Sequence, residues 1–285
     1  MVKFQAATPR SWAGFRLTSP LVMGIVNVTP DSFSSTAADA DGAIAQARAM
    51  LAAGADIIDI GGESTRPGAA PVDPATEIDR IMPVLRALIA TQGPGSSPPV
   101  ISIDTRNAAT MAAALDAGAR IINDVSALRH DPAAATLLAQ RRCPVVLMHM
   151  RGTPATMNAQ AHYTDLVRDV ADELTSRRDA ACAAGIDPAA IALDPGFGFA
   201  KTGAQNIALL RALDRFCALG HAILVGVSRK RFIGDLTQQP DPRQRDPGSI
   251  AAAIYAIRHG AAIVRVHDVA GTIQALRVWR ALEPA

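Results

Sequence analysis

The sequence predicts an α/β fold, a single (β/α)8 TIM barrel whose active site lies at the C-terminal rim of the strands. Eight short apolar runs recur along the chain, and alanine-rich segments that favour helices separate them. Nearly every run ends in a residue able to do chemistry, and the carboxyl ends of parallel barrel strands assemble the active site. The length of 285 residues fits one such domain, with its core expected from about residue 20 to residue 283.

The predicted strands are apolar runs of the length typical of buried parallel strands. They are Leu21–Val28, Ile57–Ile60, Val100–Ile103, Ile121–Val125, Val145–Met148, Ile191–Leu193, Ile223–Val227 and Ile263–Val266. The predicted helices are about Asp41–Ala53, Pro74–Ala90, Asn107–Ala117, Pro132–Gln140, Tyr163–Ala184, Asn206–Ala218, Ser249–His259 and Val269–Leu282. The segment Arg231–Pro247 leads to the seventh helix, and no linker divides the chain into domains.

Composition and charge exclude several classes of protein. The net charge of +2 predicts no general nucleic-acid surface, and no run approaches the ~20 apolar residues of a membrane span. No signal peptide is expected at Met1–Arg10, which has no long apolar run. The cysteines Cys143, Cys182 and Cys217 are far apart and are expected to be small buried residues in a reducing compartment. These observations predict a soluble, cytoplasmic protein.

Three strand ends carry hydrogen-bonding groups suited to a flat heterocycle. Asp104 and Asp194 accept hydrogen bonds, and Asn123 offers both a donor and an acceptor. Lysine occurs only at positions 3, 201 and 230, so Lys230 after a strand end is harder to dismiss as a random surface charge. Its ammonium could donate to a ring carbonyl or a ring nitrogen. The alternative is that the two aspartates only cap the helices that follow them.

A basic pair on the last strand indicates an anionic ligand. Arg265 and His267 lie two residues apart, so both side chains point to the same side. Such a pair is costly to bury without an anion, and barrels often bind phosphate after strands 7 and 8. Asn27, across the barrel seam, could ligate Mg²⁺. The alternative is a structural salt bridge from Arg265 to Asp268 or Asp59.

Two further segments are candidates for ligand contact. Ser228–Lys230 follows the seventh strand, where a hydroxyl and backbone N–H groups can bind a carboxylate. The alternative for Ser228 is an N-cap, and the two roles are compatible. Thr65–Gly68, after the glycine pair Gly61–Gly62, is predicted to be a polar, mobile loop. The remaining histidines are predicted to be surface residues, namely His130, His162, His221 and His259.

Eight motifs occur along almost the whole chain in the order of one known family. They are MGIVNVTPDSFS (Met23–Ser34), DIGGESTRPG (Asp59–Gly68), ISIDT (Ile101–Thr105), IINDV (Ile121–Val125), LMHM (Leu147–Met150), DPGFGF (Asp194–Phe199), GVSRK (Gly226–Lys230) and RVHDV (Arg265–Val269). By these motifs the chain resembles the bacterial dihydropteroate synthases, which are pterin-binding TIM barrels.

The resemblance implies a reaction of folate biosynthesis. The family joins 6-hydroxymethyl-7,8-dihydropterin diphosphate to 4-aminobenzoate and releases 7,8-dihydropteroate and pyrophosphate. It implies dissociative substitution, in which Mg²⁺ and the basic pair stabilise the leaving pyrophosphate and Asp104 stabilises the developing cation. It also implies a homodimer that is a target of sulfonamides.

The resemblance assigns a role to each candidate residue. Asp104, Lys230, Arg265 and His267 are expected to be catalytic, and Asn27 is expected to bind Mg²⁺. The pterin diphosphate is expected at Thr65, Asp104, Asn123, Met148, Asp194, Phe199, Lys230, Arg265 and His267. The aminobenzoate pocket is expected to comprise Phe33, Thr65, Arg66, Pro67 and Ser228.

Two alternatives to the synthase stay open at this stage. The family often has D-G-G after D-S-F-S, whereas Ser35–Asp39 stands here, which leaves room for a non-catalytic homologue that binds pterin. A pterin-dependent methyltransferase would need no diphosphate-binding site, so the presence of Arg265, His267 and Ser228–Lys230 is evidence against it.

Overall fold

A computed structural model describes residue 9 and residues 11–29, 37–66, 68–90 and 98–282. A short antiparallel hairpin, β1 (Ser11–Trp12) and β2 (Phe15–Arg16), precedes eight parallel strands that close into a barrel. The barrel strands are β3 (Leu21–Asn27), β4 (Ile57–Gly61), β5 (Val100–Asp104), β6 (Ile121–Asp124), β7 (Val145–Met148), β8 (Ile191–Asp194), β9 (Ala222–Val225) and β10 (Ile263–Val266). Strand β10 pairs with both β9 and β3, which confirms the predicted TIM barrel.

The helices surround the barrel in the predicted order. They are α1 (Ala37–Ala53), α2 (Pro74–Ile89), α3 (Ala108–Asp116), α4 (Ala134–Arg141), α5 (Leu166–Ala183), α6 (Gly203–Arg211), α7 (Leu213–Cys217), α8 (Arg231–Thr237), α9 (Asp246–Arg258) and α10 (Val269–Leu282). The predicted helix 206–218 is interrupted at Ala212, and the segment 231–247 contains α8 and a 3-10 turn at Pro242–Arg245. In the ranges that the structure describes, no helix is long and apolar enough to cross a membrane.

Alternation along each strand separates the two faces of the barrel wall. On β4, Ile58 and Ile60 face the helices, whereas Ile57 packs inside the barrel near its amino-terminal end. The next inward position is Asp59, which is fully buried. The interior is therefore apolar at the bottom and polar toward the carboxyl ends of the strands.

The hairpin closes the bottom of the barrel. Trp12 is 2% exposed and packs among the inward-facing apolar residues, and its indole N–H donates to the carbonyl of Ala190 at 3.0 Å. Leu17 belongs to the same cluster. The expected core boundary near residue 20 therefore leaves out residues that belong to the core. The sequence signal was weak because each hairpin strand has only two residues.

Two burial predictions need correction. His221 is buried, because it directly precedes β9 and its ring Nδ1 forms a hydrogen bond of 3.2 Å with the carbonyl oxygen of Ile191. Of the three free cysteines, only Cys143 is buried, whereas Cys182 and Cys217 are half-buried at the ends of helices.

Candidate active site

The polar side chains predicted at the strand ends converge on the inward face of the rim. Asp104 ends β5 and pairs in register with Asn123 on β6, while Asp194 ends β8 beside Met148 on β7. All four are at most 7% exposed. Strand alternation thus brings residues that are far apart in sequence to one polar interior surface.

Arg265 links two carboxylates across this surface. Its Nε donates to Asp59 Oδ2 at 2.6 Å, and its Nη2 donates to Asp104 Oδ2 at 2.7 Å. Asn123 donates to the same Asp59 oxygen at 3.1 Å. The structural salt bridge considered for Arg265 therefore exists with Asp59, whereas Asp268 accepts from the backbone of Gly271 at 2.9 Å instead.

The two aspartates are not helix caps. Helix α3 begins after Asn107, and α6 is capped by the Thr202 side chain, so the capping alternative is wrong for both. Burial raises the pKa of Asp104 to about 7, although Arg265 opposes the shift. Burial likewise raises the pKa of Asp194 to about 6, although a 2.7 Å hydrogen bond from the Gly196 N–H opposes this shift. Two buried carboxylates whose pKa values are raised in this way, close to other charged groups at the mouth of a barrel, indicate a functional site.

The turn after β8 supplies an apolar wall. Phe199 clusters with Met148 and Met150, and the Lys230 ammonium lies 4.2 Å from the centre of the Phe199 ring. Burial lowers the pKa of Lys230 to about 8. Gly198 has φ +78°, and a Cβ there would lie 3.0 Å from Cδ of Lys230. The glycine thus allows the turn to approach the lysine closely.

We expect Gly196→Ala to destabilise the fold by more than about 3 kcal/mol, because strain and a clash combine. Gly196 has φ +71°, and a Cβ would lie 1.9 Å from the backbone oxygen of His149. The matched control is Gly68→Ala, with φ +80° and open space around the Cβ, for which about 1 kcal/mol is expected. Urea unfolding measures both, and equal losses would contradict the steric argument.

A cluster of positive charges surrounds His267. Its Nδ1 lies 3.0 Å from Ser228 Oγ, which also accepts from the His267 backbone N–H at 3.1 Å. Burial lowers the pKa of His267 to about 3, and repulsion from Arg229, Arg265, Lys230 and Arg66 adds to the shift. The two hydrogen bonds to the Ser228 hydroxyl fix the position of the imidazole. The N-cap residue of α8 is Lys230, so Ser228 does not cap this helix. A neutral histidine among cations fits an anion-binding site.

Asn27 lies beside Asp104 at the barrel seam. Both flank Gly61, where a Cβ would lie 3.4 Å from Cβ of Asp104 and 3.7 Å from Oδ1 of Asn27. In the part of the chain that the structure describes, no three His, Cys, Asp or Glu residues form a metal cluster. One amide oxygen at the mouth suits Mg²⁺ that takes its other ligands from phosphate and water.

The second rim loop holds the other predicted contacts. Thr65 is half-buried and Arg66 is exposed, while Phe33 and Pro67 lie outside the described residues, as do Ser35 and Thr36 of the unusual segment after Ser34. A buried ion pair that the sequence analysis missed anchors this loop: Arg106 donates to both oxygens of Glu63 at 2.8 and 2.9 Å. The two residues lie 43 positions apart, so no local pattern reveals the pair.

Comparison with known proteins identifies the family. A family model described as "Pterin binding enzyme" matches residues 23–267. A dihydropteroate synthase of Neisseria meningitidis serogroup C is 47% identical over 271 residues, covering 93% of this chain and 94% of that protein. The chain belongs to the dihydropteroate synthase family. The dihydropteroate synthase of Bacillus subtilis is 43% identical, and the match covers 87% of this chain and 84% of that protein.

Solved structures of dihydropteroate synthases share this architecture. The enzyme of Xanthomonas albilineans with 4-aminobenzoic acid matches with a TM-score of 0.88 and 47% identity, over 95% of this chain and 96% of that chain. The Yersinia pestis dihydropteroate synthase with a sulfonamide drug complex matches with a TM-score of 0.87 and 42% identity, over 94% of this chain and 95% of that chain.

Proposed function

We propose that this chain is a dihydropteroate synthase, a transferase that condenses 6-hydroxymethyl-7,8-dihydropterin diphosphate with 4-aminobenzoate to give 7,8-dihydropteroate and pyrophosphate. The observation that carries the proposal is the juxtaposition of two surfaces on one rim. One is the hydrogen-bonding surface of Asp104, Asn123 and Asp194, and the other is the cation cluster around His267. A flat heterocycle with an anionic leaving group needs both.

The hydrogen-bonding surface suits the edge of a pterin. Among the described residues, Asp194 receives the Gly196 N–H on Oδ1, which leaves its Oδ2 to accept from a ring amino group. Asn123 uses its Nδ2 on Asp59, which leaves its amide oxygen for a ring N–H. Lys230 can donate to the ring carbonyl or a ring nitrogen, with Met148 and Phe199 against the ring faces.

The reaction breaks the C–O bond to the diphosphate and forms a C–N bond to 4-aminobenzoate. Among the described residues, Arg265 uses Nε and Nη2 for its carboxylate partners, which leaves Nη1 to donate to the departing pyrophosphate. Because the Ser228 hydroxyl can donate to Nδ1 of neutral His267, the Nε2–H of this ring can donate to the pyrophosphate as well. Asp104, next to the reacting carbon, stabilises the developing cation. The aromatic amine is neutral at pH 7, so it attacks without a general base and then loses its proton. Mg²⁺, held through Asn27, would neutralise diphosphate charge.

The remaining predicted contacts belong to the second substrate. The proposed 4-aminobenzoate pocket is formed by Thr65, Arg66, Pro67, Ser228 and Phe33, and sulfonamides would occupy it as mimics of this substrate.

Two further proposals concern location and assembly. A cytoplasmic location is consistent with the three free cysteines. A homodimer is also proposed, and large exposed apolar side chains on α9 and α10 are candidates for its interface. These side chains are Tyr255, Val278 and Leu282.

Asp194→Asn is expected to abolish pterin binding and yet stabilise the protein at alkaline pH. Because the pKa is raised to about 6 in the folded state, ionisation opposes folding above the unfolded value of 3.8. The asparagine keeps an acceptor for the Gly196 N–H and removes the buried charge. Its Tm should exceed that of the wild type by at least about 2 °C at pH 8, with the gap closing toward pH 4. A lower Tm at pH 8 would refute this.

Formation of 7,8-dihydropteroate by the purified protein, detected by mass spectrometry, tests the proposal. Product that requires both substrates and Mg²⁺ supports a synthase. Pterin binding without product favours the non-catalytic homologue, and transfer of a methyl group from a folate favours the methyltransferase.

A further inference from the structure

Lys201 is a buried lysine that lies behind the proposed pterin site. Its Nζ donates to His149 Nδ1 at 2.9 Å and to the carbonyl oxygens of Gly196 and Phe199, each at 3.0 Å. An ammonium has three N–H groups, so these three acceptors satisfy it completely. Nothing in the proposed reaction uses this residue, although it is 9% exposed and costly to bury.

The contacts of Lys201 continue through His149 to α5. Because Nδ1 of His149 accepts from the ammonium, the ring proton is on Nε2, which donates to Glu173 Oε2 at 3.0 Å. Glu173 also accepts from Nε of Arg151 at 2.8 Å. Burial lowers the pKa of His149 to about 4, in agreement with a neutral ring. The lysine is thus fixed from behind by three linked side chains.

The two carbonyl groups that Lys201 holds belong to the turn that serves the pterin site. The amide of Gly196 in this turn donates to Asp194, and the ring of Phe199 contacts the Lys230 ammonium. Gly196 and Gly198 both have positive φ, which glycine adopts without strain, but glycine also has many other conformations open to it, so contacts from outside the turn are needed to hold this one.

We propose that Lys201 is a positioning residue for the pterin substrate, which fixes the Gly196–Phe199 turn so that Asp194 and Phe199 meet the ring. It does not touch the substrate. The inference rests on the proposed function, and it predicts that loss of Lys201 affects the pterin half of the site and spares the 4-aminobenzoate half.

The main test is Lys201→Met, which keeps the length of the side chain and removes its donors. We expect the KM for the pterin diphosphate to rise by about 10-fold or more, with the KM for 4-aminobenzoate within about 2-fold of wild type. Binding of pterin-6-carboxylate, measured by calorimetry, should weaken in parallel. Equal changes in both KM values, or no change in either, would overturn the proposal.

A pair of substitutions at His149 keeps the test decisive if Lys201→Met does not fold. In His149→Asn the amide lies near the position of Nδ1 and can still accept from Lys201, whereas in His149→Gln it lies near Nε2 and keeps only the link to Glu173. The glutamine variant should therefore show the larger rise in the pterin KM. The reverse order would contradict the proposal, and turnover by the wild type shows separately that the proposed function stands.

Discussion

Asp104→Asn is expected to lower kcat by about 10²- to 10³-fold while the fold is retained. The proposed reaction develops positive charge next to this carboxylate, and a neutral amide cannot stabilise it. Asparagine has the same size and can still accept the 2.7 Å hydrogen bond from Nη2 of Arg265. Arg265 also keeps Asp59 as a counterion, so loss of one charge does not isolate the guanidinium.

Steady-state kinetics and thermal unfolding of the same preparation measure this effect. The control is Asp116→Asn, which removes an aspartate whose side chain is 60% exposed and pairs with Arg141 at the surface. The control should turn over like the wild type. If Asp104→Asn kept more than about a tenth of wild-type kcat, Asp104 would not be the residue that stabilises the cation.

Arg265→Met is expected to impair both stability and turnover. It leaves the carboxylates of Asp59 and Asp104 in the barrel without their shared counterion, and breaking a buried pair costs about 3–5 kcal/mol. It also removes a donor to the leaving pyrophosphate, so kcat/KM should fall by about 10³-fold or more. Arg265→Lys restores the charge, but one ammonium cannot copy the planar fork that spans both carboxylates. It should recover part of the stability and little of the turnover.

Urea unfolding and kcat/KM for the pterin diphosphate test this prediction, with Arg211→Met as the control because Arg211 is exposed at the end of α6. Wild-type stability in Arg265→Met would mean that the two carboxylates do not need the arginine. Full turnover in Arg265→Lys would mean that the fork geometry is unimportant.

The barrel and much of its rim could be predicted because strand alternation is a local property. Ile57 and Asp59 lie two positions apart on one strand, so their shared inward direction follows from the sequence alone. The same holds for Asp104 and Asp194, which directly end apolar runs. The hydrogen bonds that the predicted ligand residues make with one another do not follow from alternation. Ser228 forms a hydrogen bond with His267, and Arg265 forms one with Asp59.

The supporting contacts could not be predicted because their partners are distant in sequence. Lys201 and His149 lie 52 positions apart, and Lys201 stands out in the sequence only by the rarity of lysine. Histidine at a strand end and glutamate inside a helix have ordinary surface explanations until the fold brings them together. The buried Glu63–Arg106 ion pair was missed for the same reason, because its two residues are distant in sequence.

Pyrophosphate release by the wild-type protein, with the pterin diphosphate and Mg²⁺ and with or without 4-aminobenzoate, tests the central claim most directly. The proposed synthase releases pyrophosphate when 4-aminobenzoate is present and forms dihydropteroate mole for mole. Pterin binding with neither release nor product, in the presence of both substrates, would contradict it and identify the chain as a non-catalytic member of the family.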